Sequence, residues 1–240
     1  MEHNKAFISI IIPAHNEELY IDDTLKHLRD IDYPKDKYEV FVIENGSTDK
    51  TYEKAKLFEC KNITVVSAPT KGVSLARNFG IGKIKIDSDW VIFLDADTVL
   101  RSNFLNDLNN FLQKNQNNNY VVGTTLIKPF PETRIANFWF AFWNLCHKIF
   151  KVSFAIQIIK HSLLKDIKYH EGLEMGEDLK LIKDARKYGK FFFLNTHEVY
   201  SSTRRFEQIG WWKIFFQWTF VANLPHFLQK KHGYKVIRFN

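Results

Sequence analysis

Four short apolar runs alternate with amphipathic or capped segments over the first hundred residues, and this alternation restricts the fold more than any other feature. Residues 7–12 form a β-branched run stopped by Pro13; residues 38–43, 63–66 and 90–94 supply three more. Between them the spacing predicts helices at 18–28, with Leu19, Ile21, Leu25 and Leu28 on one stripe, at about 49–58 behind a Ser47-Thr48-Asp49 cap, and at 73–84. Strands separated by helices imply parallel pairing with right-handed crossovers. The expected class is therefore α/β, a Rossmann-like and mostly parallel central sheet flanked by helices.

Downstream, residues 101–133 read as a helix, an Asn-rich loop and a strand around 120–126, followed by a long aromatic stretch over 135–159. A helix at 179–188 ended by Gly189 and a strand at 191–194 complete the pattern. The absence of internal repeats or a clear linker points to one compact unit. Two cysteines, Cys60 and Cys146, are too few for a disulfide framework or a thiolate metal site, and Met1–Lys5 lacks a signal-peptide pattern. A reducing cytoplasm is the expected home. The net charge of +7 is unevenly spread: residues 201–240 carry seven basic side chains against the single acid Glu207, and five of six tryptophans lie after residue 138. Anionic partners follow from this, whether phosphates, nucleic acid or a membrane surface.

Asp95-Ala96-Asp97 directly follows the apolar run Trp90–Leu94. Two carboxylates delivered at a strand's C-terminal end lie where open α/β sheets bind ligands, and hard oxygen donors there suit Mg²⁺ or Mn²⁺ carrying a diphosphate. Asp30-Ile31-Asp32 and Asp87-Ser88-Asp89 have the same composition but follow no such strand. A Gly-x-Gly-x-x-Gly turn and a Walker loop are both missing, so the phosphate-cradling backbone of those nucleotide sites is missing too. Further polar segments fall at expected element ends: Pro13-Ala14-His15-Asn16-Glu17-Glu18, Glu44-Asn45-Gly46-Ser47-Thr48-Asp49, Lys71-Gly72 running into Ala76-Arg77-Asn78-Phe79-Gly80, and Gly176-Glu177-Asp178.

In this order and spacing the five segments resemble the family 2 glycosyltransferases of GT-A fold, over roughly residues 7 to 190. The resemblance implies a catalytic domain over 1–200, with a nucleotide-sugar half (1–100) and an acceptor half (101–200), and a basic, aromatic helical extension (201–240) packed on it. It implies an inverting, metal-dependent hexosyl transfer from a nucleoside diphosphate sugar, with uridine favoured, to a glycan or lipid-linked acceptor of the cell envelope. Pro13, Ala14, Asn16 and Glu17 would line the nucleoside pocket, with Glu17 on the ribose. Glu44 and Asn45 would read the base, and Lys71, Gly72 and Arg77 would close over base and phosphate. Asp95 would face the ribose or the metal's water shell, and Asp97 would bind Mg²⁺ or Mn²⁺. Asp178 would be the general base, kept ionised by its helix N-terminus; Glu177 would assist, and Arg204 and Arg205 would clamp the diphosphate.

Two departures stand out. His170-Glu171-Gly172-Leu173-Glu174 replaces the family's Gly-Gly-Phe-Asp, which bears on the acceptor, and Ser202-Thr203-Arg204-Arg205-Phe206 replaces the Gln-x-x-Arg-Trp of processive members, which favours single transfer. Taken alone, Glu177 and Asp178 would be ordinary helix capping and His197 an unligated strand-end histidine. The aromatic stretches around Trp139 and Trp211 are too short to span a bilayer. Two readings stay open for them: helices covering the sheet, or interfacial helices on anionic lipid at the inner membrane face. A nucleotidyltransferase would carry a Gly-rich basic loop after the first strand, and a nucleic-acid-binding protein would need a cationic stripe. The strongest motifs here are acidic, so nucleic acid is not an expected partner.

Overall fold

The computed structural model describes residues 5–69, 71–84, 88–173 and 176–222, with side chains through Trp218. Glu174 and the end of the 201–240 extension, including Lys230, Lys231, Lys235 and Arg238, lie outside the described residues.

Seven strands form the main sheet: β1 (Ile8–Ala14), β2 (Tyr38–Glu44), β3 (Ile63–Ser67), β4 (Trp90–Leu94), β6 (Tyr120–Thr125), β8 (Ile156–Lys160) and β9 (Lys190–Leu194), in the order β3-β2-β1-β4-β8-β6-β9. A second sheet aligns β5 (Thr98–Leu100), β10 (Val199–Ser202) and β7 (Lys128–Phe130) as β5-β10-β7. The first four strands pair in parallel as the alternation requires, whereas β8 runs antiparallel to both β4 and β6.

Each central strand alternates its side chains between two cores, as the strand period of two dictates. Ile8, Ile10, Ile12, Val40, Val42, Ile92 and Leu94 face one core, where Ile21, Leu25 and Leu28 of α1 (Ile21–Arg29) and Phe104, Leu105 and Leu108 of α4 (Phe104–Lys114) pack. Ile11, Phe41, Ile43, Val91 and Phe93 face the other, which is closed by α3 (Val73–Ile81) and α6 (Glu177–Ala185). Gly80 lets α3 approach closely: a Cβ there would lie 2.6 Å from Ile11 Cγ2 and 3.1 Å from Ile43 Cγ1.

Several boundaries differ from expectation. Leu19 is exposed and precedes α1, because the chain still turns after Glu17 to meet the β2 loop. The capped segment forms α2 (Thr51–Lys56), with the Asp49 carboxylate accepting from Thr51 N and Oγ1. The aromatic stretch divides into α5 (Arg134–Phe150) and β8, and two helices, α7 (Arg204–Ile209) and α8 (Trp211–Ala222), follow β10. Inward aromatics of these helices extend the core: Trp139 and Phe140 pack against Trp211, and Phe206 stacks on Trp211 at 4.8 Å. For Trp139, Phe140, Trp143 and Trp211 the sheet-covering reading is the correct one, since each is buried.

Candidate active site

The strand-end segments meet along one sheet edge, since β1, β2 and β4 are parallel neighbours and expose their C-terminal ends together. The β1 exit is fastened to the β2 exit by Asn16, which adopts a left-handed φ of 56°. Its side-chain carbonyl accepts from Thr48 N at 2.8 Å, and its own N–H donates to Ser47 Oγ at 3.1 Å. Asn tolerates this conformation better than most residues. Pro13 and Ala14 complete β1 in register with Ile43 and Glu44.

Glu44 is buried with both carboxylate oxygens engaged, accepting from Ser47 N at 2.5 Å and Ser67 Oγ at 2.8 Å. These hydrogen bonds outweigh burial and hold its carboxyl below the usual range. Asn45 is buried beside it, with its carbonyl 3.5 Å from Gly72 N. The Lys71 stem lies across Gly46, where a Cβ would meet Lys71 Cε at 2.8 Å. Lys71 and Gly72 therefore cover the Glu44–Gly46 turn, and burial together with Lys71 pushes His15 below its ordinary value.

Two arginines organise the acids. Arg77 on α3 is 2% exposed, and its guanidinium reaches Asp178 at 2.9 Å and both Glu177 and Asp95 at 3.0 Å. It lies over the Tyr169 ring at 4.8 Å from the centroid. Three protein carboxylates share its fork. Tyr169 Oη donates to Gln157 Oε1 at 2.9 Å.

Arg204 is delivered by the small sheet. β10 pairs antiparallel with β5, immediately after Asp97, and Ser202 N donates to Asp97 O at 3.2 Å. This register sets Arg204 Nη2 at 3.0 Å from Asp97 Oδ2 and 2.5 Å from Glu17 Oε1, with the guanidinium 4.3 Å above the Tyr20 ring. Arg205 is also in the electrostatic reach of Asp97 and Asp95, and burial lowers its affinity for a proton.

Acids crowded out of water protonate more readily. Burial and the neighbouring Asp97 raise Glu17 to about 7, against the pull of Arg204. Burial likewise raises Asp97, again opposed by Arg204. Asp178 lies well above the ordinary aspartate range because burial and the repulsion of Glu177 and Asp95 outweigh the attraction of Arg77. Burial here opposes the α6 N-terminus, whose first turn holds Asp178 and favours the ionised form. The Asp178 side chain is still 18% exposed, so a small hydroxyl can reach it.

Among the described residues no three His, Cys, Asp or Glu side chains form a ready-made metal cluster, and His197 is exposed. The donor set nonetheless fits Mg²⁺ or Mn²⁺, which take one or two carboxylates and complete their shells with phosphate oxygens and water. Glu17 Oε2 is buried without a hydrogen-bond partner beside Asp97, an acidic surplus that a cation would relieve. Tyr20, Gln157 and Tyr169 were not readable as site residues, since none stands in a recurring motif.

Residues 9–158, more than half of the chain, match the family described as Glycosyl transferase family 2. The chain belongs to glycosyl transferase family 2. Among its relatives, the poly(ribitol-phosphate) beta-N-acetylglucosaminyltransferase TarS of Staphylococcus aureus is 25% identical over 212 residues, covering 82% of this chain and 35% of that protein. The dolichyl N-acetyl-alpha-D-glucosaminyl phosphate 3-beta-D-2,3-diacetamido-2,3-dideoxy-beta-D-glucuronosyltransferase of Methanococcus voltae is 36% identical over 103 residues, 41% of this chain and 32% of that protein. The chain thus spans about a third of the length of these relatives. The crystal structure of S. aureus TarS with UDP-GlcNAc superposes with a TM-score of 0.66 at 23% identity, covering 82% of this chain and 58% of that one. The Pyrobaculum calidifontis mannosyltransferase PcManGT, with GDP-Man and Mn²⁺, gives 0.69 at 16% identity over 95% of this chain and 63% of that one. At these identities the structural likeness establishes the family 2 fold, a mixed α/β sheet flanked by helices.

Proposed function

We propose that this chain is an inverting, metal-dependent glycosyltransferase that moves one hexosyl group from a UDP-linked sugar to the hydroxyl of a glycan or lipid-linked acceptor in cell-envelope glycan assembly, at the inner membrane face. One observation carries the reading: a single buried guanidinium, that of Arg77, holds Asp95 of the donor side and Asp178 of the acceptor side together. A relative named for sugar transfer, TarS, bound to UDP-GlcNAc in a crystal, supports the donor class.

Glu44 and Asn45 read the base under Lys71 and Gly72, and Pro13, Ala14, Asn16 and Glu17 line the nucleoside. Asp97 with Asp95 would hold Mg²⁺ or Mn²⁺, which when bound supplies Lewis-acid neutralisation of the diphosphate. Arg204 and Arg205 add positive charge on the same side, with a fork geometry that suits phosphate oxygens. Asp178 takes the acceptor's hydroxyl proton while that oxygen bonds the anomeric carbon and the carbon–oxygen bond to the diphosphate breaks, releasing nucleoside diphosphate. Inversion follows from one in-line displacement. The raised proton affinity of Asp178 brings it closer to the range a general base needs near neutral pH. Glu177 shares Arg77 with it and keeps the fork in place.

A thermal-shift panel of nucleoside diphosphate sugars with and without Mn²⁺ tests the assignment. Asp97→Asn is expected to abolish the metal-dependent shift, and Asp178→Asn to keep donor binding while losing turnover. Wild-type turnover by Asp178→Asn would remove the base assignment, and release of pyrophosphate instead of nucleoside diphosphate would remove the reaction class.

A further inference from the structure

The aromatic helices have a second face. On α5, Ile135, Phe138, Leu145 and Ile149 recur at helical spacing and are 53–64% exposed. On α8, Trp212 and Phe216 continue the surface at 65% and 63% exposure. The two helices join through Trp139, whose ring is 5.8 Å from Phe138 and 4.9 Å from Trp212. An apolar surface of this extent marks a contact site.

Charge identifies the occupant. Residues 134–151 and 211–222 contain no Asp or Glu, while Arg134, Lys148, Lys151 and Lys213 are exposed around the apolar stripe. A second copy of the same face would oppose cation to cation with no carboxylate to pair. Residues 223–240 are no better as a cover, since they carry Lys230, Lys231, Lys235 and Arg238 without an acid. We infer that this face of α5 and α8 docks on a bilayer leaflet rich in anionic phospholipid, with Trp212 and Phe138 at headgroup depth and the flanking cations on phosphates. Large apolar side chains beside lysines are what interfacial binding requires, and among the described residues no helix is long and apolar enough to cross a membrane. The face also lies close to the cleft, because Phe206, two residues after Arg204, packs on Phe140 at 5.6 Å. This deepens the lipid-linked-acceptor reading but is tested apart from it.

The full chain is sedimented with vesicles of phosphatidylcholine alone and of equimolar phosphatidylcholine and phosphatidylglycerol. Expected is binding to the second, weak binding to the first, and loss on raising salt. Lys148→Glu with Lys151→Glu should weaken binding by more than about tenfold, and Phe138→Ser with Trp212→Ser should do the same without lowering the thermal midpoint. Transfer to a short water-soluble acceptor should persist in both variants. A folded wild type that ignores both vesicles overturns the inference, as does binding unchanged in both variants. A dimer in velocity sedimentation that the Phe138/Trp212 variant dissolves would also overturn it, by making a second copy the occupant. Absence of transfer by the wild type with vesicle binding intact would instead sink the proposed activity alone.

Discussion

Replacing Arg77 by Gln isolates the interaction on which the site depends. The substitution leaves Asp95, Glu177 and Asp178 facing each other around a neutral amide. Removing one partner of a buried ion pair costs about 3–5 kcal/mol. The Asp95 side chain is 40% exposed and recovers hydration, whereas Glu177 and Asp178 are only 12% and 18% exposed. The lower end, about 3 kcal/mol, is therefore expected at neutral pH. At this chain length that lowers the thermal midpoint by roughly 6–12 °C. The pH dependence gives a second handle. Asp178 has a raised folded pKa, so the folded state holds its proton longer than the unfolded chain and stability falls as pH climbs from the ordinary aspartate range toward the folded value. Without Arg77 that value rises further, so the variant's deficit should be small near pH 4 and grow toward pH 8. Thermal unfolding by circular dichroism across that range reads both quantities. A deficit under about 1 kcal/mol at neutral pH, or one independent of pH, would refute the buried-fork account. Arg77→Lys should recover only part, because one ammonium cannot fork across three carboxylates.

Glu17→Gln should flatten the stability profile between about pH 4.5 and 7, because the raised Glu17 withdraws stability as pH rises through that window; a profile identical to wild type by chemical denaturation would contradict it. Tyr169→Phe removes the hydroxyl that donates to Gln157 from the ring beneath the Arg77 fork, and is expected to lower kcat by about 1–3 kcal/mol equivalent with donor KM unchanged, as measured by steady-state release of nucleoside diphosphate. Gly80→Ala should destabilise by about 1–3 kcal/mol, because its Cβ would press on Ile11 and Ile43 of the sheet, as urea unfolding would report.

The parallel half of the fold was legible because its strands are buried on both faces and its helices are separated by polar motifs. Ile8 to Ala14 and Trp90 to Leu94 read as strands in the sequence and are strands in the structure. β8 was not legible: Ile156, Ile158 and Ile159 follow an aromatic helix without a turn motif, and an antiparallel partner for β4 has no signature of its own. β5, β7 and β10 are three or four residues long, below the length at which periodicity is visible. At the site, residue types and order pointed to the Asp95, Asp97 and Asp178 cluster, but its ionic partners depend on tertiary placement. The motif at its helix start singles out Arg77, but its three carboxylate partners are visible only in the packed structure. Arg204 gained its meaning from the β5–β10 register, which no local pattern announces.

That register has a mechanical corollary. One short antiparallel pairing stitches the backbone of Asp97 to the segment that leads, through Arg204 and α7, into the aromatic helix α8. A load applied to α8 would therefore travel a handful of peptide units before it reaches the guanidinium that shields Asp97 and Glu17.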